Sequence, residues 1–118
     1  MLATTEEAQH LLAGWQSDHS LIHCWCSLGA SVFQVLGWIS DLGPERVSIC
    51  TGDVPNPPAG FFEARIPLAG AAFDYLEGRD MQDPRLEKQI AESYVAVLLI
   101  RTADGVSFGI GLMRLSQP

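Results

Sequence analysis

Long apolar runs are missing from this chain. The longest, residues 95–100, falls far short of the roughly 20 residues that a membrane-crossing helix needs. The opening Met-Leu-Ala-Thr-Thr-Glu-Glu places no basic group ahead of an apolar stretch, so no secretory leader is read there and a cytoplasmic location is expected. Positive charge is also scarce. Seven Lys and Arg, scattered singly, stand against fourteen Asp and Glu, a formal charge of −7. A phosphate backbone rewards clustered basic groups through counterion release and repels a net-negative surface. Neither nucleic acid nor an anionic membrane is therefore expected as a partner. Cysteine is sparse as well: three is an odd count that implies no disulfide framework, and reduced thiols are expected.

Core-forming residues, by contrast, are plentiful. Apolar residues make up 47% of the 118 positions and charged ones only 18%, which suits one domain, residues 1–118, around one hydrophobic core. Thr4 followed by Glu7 fits a capping box, and Ala8, Leu11, Leu12 and Trp15 recur at helical spacing, which predicts an amphipathic helix over residues 5–17. From Leu21 the period becomes two. Gly29-Ala30 suits a two-residue hairpin loop that pairs Leu28 with Ser31. That register sets Ile22, Cys24, Cys26, Leu28, Phe33, Val35 and Ile39 on a core face, and Leu21, His23, Trp25, Val32, Leu36 and Trp38 on the other. The second face is too apolar for bare solvent. It is expected to be covered by the Trp15 stripe of the helix, by a second copy of the chain, or by a ligand.

Residues 46–51 read as a third strand and 61–68 as a fourth, ending or lying at an edge because of Pro67. The three prolines between them predict an extended loop over 52–60. Residues 69–93 fit either a bent strand or a short helix at first, with Asp83-Pro84 opening a helix that would align Leu86 and Ile90. Residues 94–101 and 106–115 form a last hairpin around Asp104-Gly105, read as a type I′ turn, which places Gly109 and Gly111 opposite Ile100 and Leu98. Tyr94, Ala96, Met113 and Leu115 would share a face. The fold expected is α+β and mainly antiparallel β: an N-terminal amphipathic helix, then a strongly bent six-stranded meander or small open barrel. In element order alone it is similar to the Sm-like small barrels, which also begin with a helix, but it carries no motif of that class and its acidity departs from RNA binding.

Chemistry has little to stand on in this sequence. His23, Cys24, Cys26 and Cys50 are zinc-ligand types, yet on a strand His23 points away from both thiols, and structural zinc sites gather Cys-x₂₋₄-Cys from a turn. Cysteine as a small core residue is the preferred reading. His10 reads as a solvated helix position and His19 as a loop residue. Ser20, Ser27 and Ser48 have none of the flanking glycines of a nucleophile elbow. Asp74, Glu77, Asp80 and Asp83 match no calcium loop and are interleaved with Arg79, Arg85 and Lys88. Gly109-Ile110-Gly111 lies in a strand, so nucleotide binding has no support. No catalytic residue, metal ligand or cofactor is assigned. The sequence predicts a non-enzymatic protein-interaction or self-assembly module, a homodimer or a binder of another protein, with His23, Trp25, Leu36 and Trp38 as the binding residues. The alternative is a small-molecule-binding domain or minor enzyme with a pocket near His23, Trp25 and Trp38.

Overall fold

The structure is a computed structural model that describes residues 2–28, 30–51, 63–86 and 92–114, with the side chains of 79 and 80 left aside. A two-residue strand, β1 (Leu2–Ala3), precedes the helix α1 (Thr5–Ser17), whose bounds match the expected ones. The capping box forms in full. Thr4 N–H donates to Glu7 Oε1 at 3.0 Å, and Glu7 N–H donates to Thr4 Oγ1 at 3.1 Å, so two amides at the helix start are satisfied reciprocally. The helix ends in a Schellman-type turn, with Ser20 N–H on the Trp15 carbonyl at 3.0 Å and His19 N–H on the Gln16 carbonyl at 3.1 Å. His19 takes the left-handed backbone that this turn needs, at φ 54°, a conformation that glycine adopts without the ~1–2 kcal/mol steric cost of a side chain.

Seven further strands follow: β2 (Ile22–Leu28), β3 (Ser31–Leu42), β4 (Arg46–Cys50), β5 (Glu63–Pro67), β6 (Ala72–Glu77), β7 (Tyr94–Arg101) and β8 (Ser107–Met113), with a 3₁₀ turn at Gly78–Gln82. All pairings among them are antiparallel, and the spatial order is β1-β6-β7-β8-β2-β3-β4-β5. The sheet is open, with β1 and β5 at its ends. It is also strongly curved, because β5 and β6 are six inter-strand steps apart, about 29 Å if flat at ~4.8 Å per step. The four residues 68–71 that join them reach no more than ~18 Å from Pro67 to Ala72. The curl wraps the inner face around α1. Ala8, Leu12 and Trp15 join one buried cluster with Ile22, Cys24, Val35, Ile39, Val47, Ile49, Ile66, Leu68, Phe73, Ala96, Leu98, Ile100 and Ile110.

Several expectations change. The sheet has eight described strands and not six, and it is two meanders, β2–β5 and β6–β8, joined where β8 lies against β2. Residues 72–77 are a strand, β6, buried on both faces at Phe73 and Leu76, which hides the period of two. Asp83-Pro84 opens a turn closed by Leu86 N–H on the Asp83 carbonyl at 3.0 Å; the helix expected beyond it, with Ile90, lies outside the described residues, as do the loop 52–60, Phe62 and Leu115. In the last hairpin the loop is Ala103-Asp104-Gly105, and only Gly105 has positive φ, 88°, whereas a type I′ turn needs two such residues. The extra loop residue shifts the register by one, so Gly109 and Gly111 face Leu99 and Val97 instead of Ile100 and Leu98. An irregularity between Tyr94 and Ala96 puts Tyr94 on the outer face with Met113, while Ala96 turns into the inner core.

Candidate functional site

The β2–β3 register is the expected one, with Leu28 opposite Ser31, Trp25 opposite Gln34 and His23 opposite Leu36. Three of the four expected site residues, His23, Trp25 and Leu36, therefore share the outer face. The helix does not cover them, because Trp15 packs on the inner, Cys24 face. What lies over His23 and Trp25 is Tyr94, two strands away. The one-residue shift in the last hairpin turns Gly109 and Gly111 toward this face. A Cβ at Gly109 would lie 2.1 Å from the Trp25 ring, and one at Gly111 would lie 2.9 Å from the Tyr94 ring. Only bare backbone lets both rings lie flat on β8, and there they stack on each other, centroids 5.6 Å apart and 8° from parallel.

Hydrogen bonds lock the cluster. The Tyr94 hydroxyl bonds His23 Nδ1, and His23 Nε2 bonds Gln34 Oε1 at 2.8 Å. Because the Gln34 oxygen can only accept, Nε2 carries the proton and the Tyr94 O–H donates to Nδ1. Both imidazole nitrogens are thus engaged, which leaves His23 no free lone pair for a substrate or a metal. Burial pushes the Tyr94 hydroxyl up to about 12, away from the range where a tyrosine serves as a base. Trp38, the fourth expected residue, is engaged elsewhere: its indole stacks on His19 at 4.4 Å and 7°. Tyr94 and Gln34 were not among the expected site residues; the signal for Tyr94 was the glycine pair, misplaced by one position of register.

Burial also holds two of the thiols protonated. Burial first, and then the neighbouring Cys26, push Cys24 up to about 12, and burial raises Cys26; both are inert as nucleophiles in that state. Among the described residues no three His, Cys, Asp or Glu side chains converge on a metal-sized site. In the acidic stretch, Arg85 bridges Asp74 at 2.5 Å and Asp83 at 2.6 Å. The Arg85 side chain and then its backbone N–H hold the Asp83 carboxyl down at about 2. No described helix is long and apolar enough to cross a membrane.

Beyond His23 the outer face and the hairpin tip are open. Leu28 (50% exposed), Val32 (56%), Phe33 (59%) and Leu36 (51%) present apolar surface to solvent. Leu28 and Phe33, expected in the core, lie past the reach of α1. β3 pairs with β2 from Ser31 to Gly37 but with β4 only from Trp38 onward. Gly37 explains the parting. The Cys50 carbonyl oxygen sits 1.8 Å and the Thr51 Cα 3.2 Å from where a Gly37 Cβ would be, so the chain leaving β4 crosses over Gly37 instead of continuing along β3. Residues 31–37 thus have no strand beside them on that side among the described residues. The other edges are blunted: β1 is two residues long, and β5 carries the Arg65–Glu63 ion pair, at 3.0 Å, and Pro67.

A cavity of about 450 Å³ lies beside Trp25, with Ser27, Leu99, Arg101 and Ser107 among its walls. Against this geometry no known protein family's model matches the chain, and neither a curated protein nor a solved structure matches it. The similarity in element order to Sm-like barrels therefore carries no functional weight.

Proposed function

We propose that this protein is a non-enzymatic self-association or protein-interaction module that works through its β2–β3 hairpin. The carrying observation is that Leu28, Val32, Phe33 and Leu36, all exposed, lie on one hairpin whose β3 strand has no described strand beside one edge over residues 31–37. Four of the six large apolar side chains exposed among the described residues fall on this hairpin, the others being Leu2 and Val95; such a concentration marks an interaction surface, and an unblunted strand edge is a template for another strand. The engaged nitrogens of His23 and the raised Tyr94 hydroxyl weigh against catalysis at the outer face. The test is molar mass by light scattering over a dilution series of the wild type and of Phe33→Ser. Self-association predicts a mass above the monomer that falls on dilution and a lower mass at every concentration for the variant. A wild-type mass fixed at the monomer value contradicts it.

A second reading, small-molecule binding, draws on the cavity beside Trp25, where Arg101 and two serine hydroxyls meet an indole. Titration of Trp25 fluorescence with small aromatic carboxylates tests it. Saturable quenching that is lost in Arg101→Ala supports it, and unchanged emission contradicts it.

A further inference from the structure

Building on the self-association reading, we infer that the occupant of the open β3 edge is the same edge of a second copy, paired antiparallel about a two-fold axis at Gln34. The open segment 31–37 is centred on Gln34, so a two-fold axis there keeps all seven residues in the new ladder: 31 with 37, 32 with 36, 33 with 35, and 34 with itself. On the outer face Val32 meets Leu36 twice, and on the inner face Phe33 meets Val35 twice, so the exposed apolar side chains find apolar partners. The ladder ends on Ser31 and Gly37, both small residues.

Charge selects the partner. Each copy carries −7, which disfavours the approach of two copies across most of the surface. Yet no Asp, Glu, Lys or Arg occurs between Asp18 and Asp41. The hairpin is therefore a stretch over which two acidic copies can meet without opposed charges. For the same reason it has no acid to recognise a basic partner and no base to recognise an acidic one. The edge of β5, with Glu63 and Arg65, lacks this neutrality. Seven residues a side is well under the roughly 20–30 of a standard interface, so the dimer is weak and depends on concentration.

Gln34→Cys tests the register directly. Residues facing each other across an antiparallel pair lie ~4.5–5.5 Å apart at Cα, inside the ~4.4–6.8 Å span of a disulfide. Under mild oxidation Gln34→Cys is expected to form a covalent dimer roughly tenfold or more faster than Arg65→Cys on the β5 edge, because paired thiols sit at a high effective concentration. Wild type, whose three cysteines are buried, supplies the background. A parallel variant, Leu36→Lys, puts charge at an exposed position; it is expected to keep the circular dichroism of the wild type and lose the dimer in light scattering. A wild type that dimerises while Gln34→Cys cross-links no faster than Arg65→Cys overturns the β3 pairing and leaves the self-association reading standing. A wild type that is monomeric at every concentration overturns both.

Discussion

The two faces of this sheet are closed by different means. Up to the β2–β3 tip, where Leu28 and Phe33 lie past the helix, the inner face is sealed by curvature and a helix: the sheet wraps α1, and Leu12, Ile22, Ile66 and Ile110 are fully buried. The outer face is sealed only in part. Leu76, Met81, Leu86 and Val97 close one end, and Tyr94 and Trp25 lie on the glycines of β8 in the middle. From His23 toward the hairpin tip nothing described covers Val32 or Leu36. The difference teaches that the buried core lies where the helix covers the sheet, while the uncovered end presents apolar surface to solvent.

Leucine substitution in the helix-covered core and at the uncovered hairpin tip should differ most. Leu12→Ala removes a fully buried side chain from the α1 contact and is expected to cost about 2–5 kcal/mol in urea unfolding. Leu28→Ser, at the exposed tip, should stay within about 0.5 kcal/mol. Equal costs would break the comparison. The glycine floor comes next. Gly109→Ala drives a methyl into the rigid indole of Trp25 and should cost about 1–3 kcal/mol, with a change in near-ultraviolet circular dichroism as the Trp25–Tyr94 stack separates. Gly111→Ala, where the nearest Tyr94 atom is 2.9 Å away against 2.1 Å at Gly109, should cost less.

Alkaline pH probes both faces at once. Cys24 on the inner face and Tyr94 on the outer are each raised to about 12 by burial, so the native state holds protons that the unfolded chain releases first. Their stabilisation is fully present below the ordinary values, near 9 for the thiol and 10 for the phenol, and is lost as pH rises toward 12. Each group makes the loss steeper by about 1.4 kcal/mol per pH unit within its window. Urea midpoints measured from pH 8 to 11 should begin to fall near pH 9 in the wild type and fall less steeply from there in Cys24→Ala, where the raised Cys26 thiol remains; equal slopes would remove Cys24 from the account. The smallest effect is expected at His19→Gly, which relieves left-handed backbone strain but loses the stack on Trp38. These oppose each other and should leave stability within about 1 kcal/mol.

How much could be read in advance follows the range of each signal. Local chemistry was legible: Thr4 and Glu7 marked the helix start, Gly29-Ala30 set the first hairpin register, and the residues 94–101 form the expected strand. The outer site was half legible, because His23 and Trp25 were placed correctly while Tyr94 and Gln34 were not joined to them. The reason is one loop residue. Thr102 Oγ1 accepts from Val106 N–H at 3.1 Å and lengthens the turn to three residues, and a shift of one position moves every side chain of β8 to the opposite face. The placement of β8 against β2 depends on contacts between residues more than 80 positions apart in sequence, which no local pattern encodes. β1, with two residues, is too short to show a period at all.

Amide hydrogen exchange at several protein concentrations tests the proposed self-pairing of the β3 edge most directly. The N–H groups of residues 31–37 that do not bond β2 should exchange fast in dilute solution and become protected as concentration rises, while those of β2 stay protected throughout. Protection of all of them at every dilution would mean that the edge is already covered within one chain, for instance by residues 52–62, and would contradict the account.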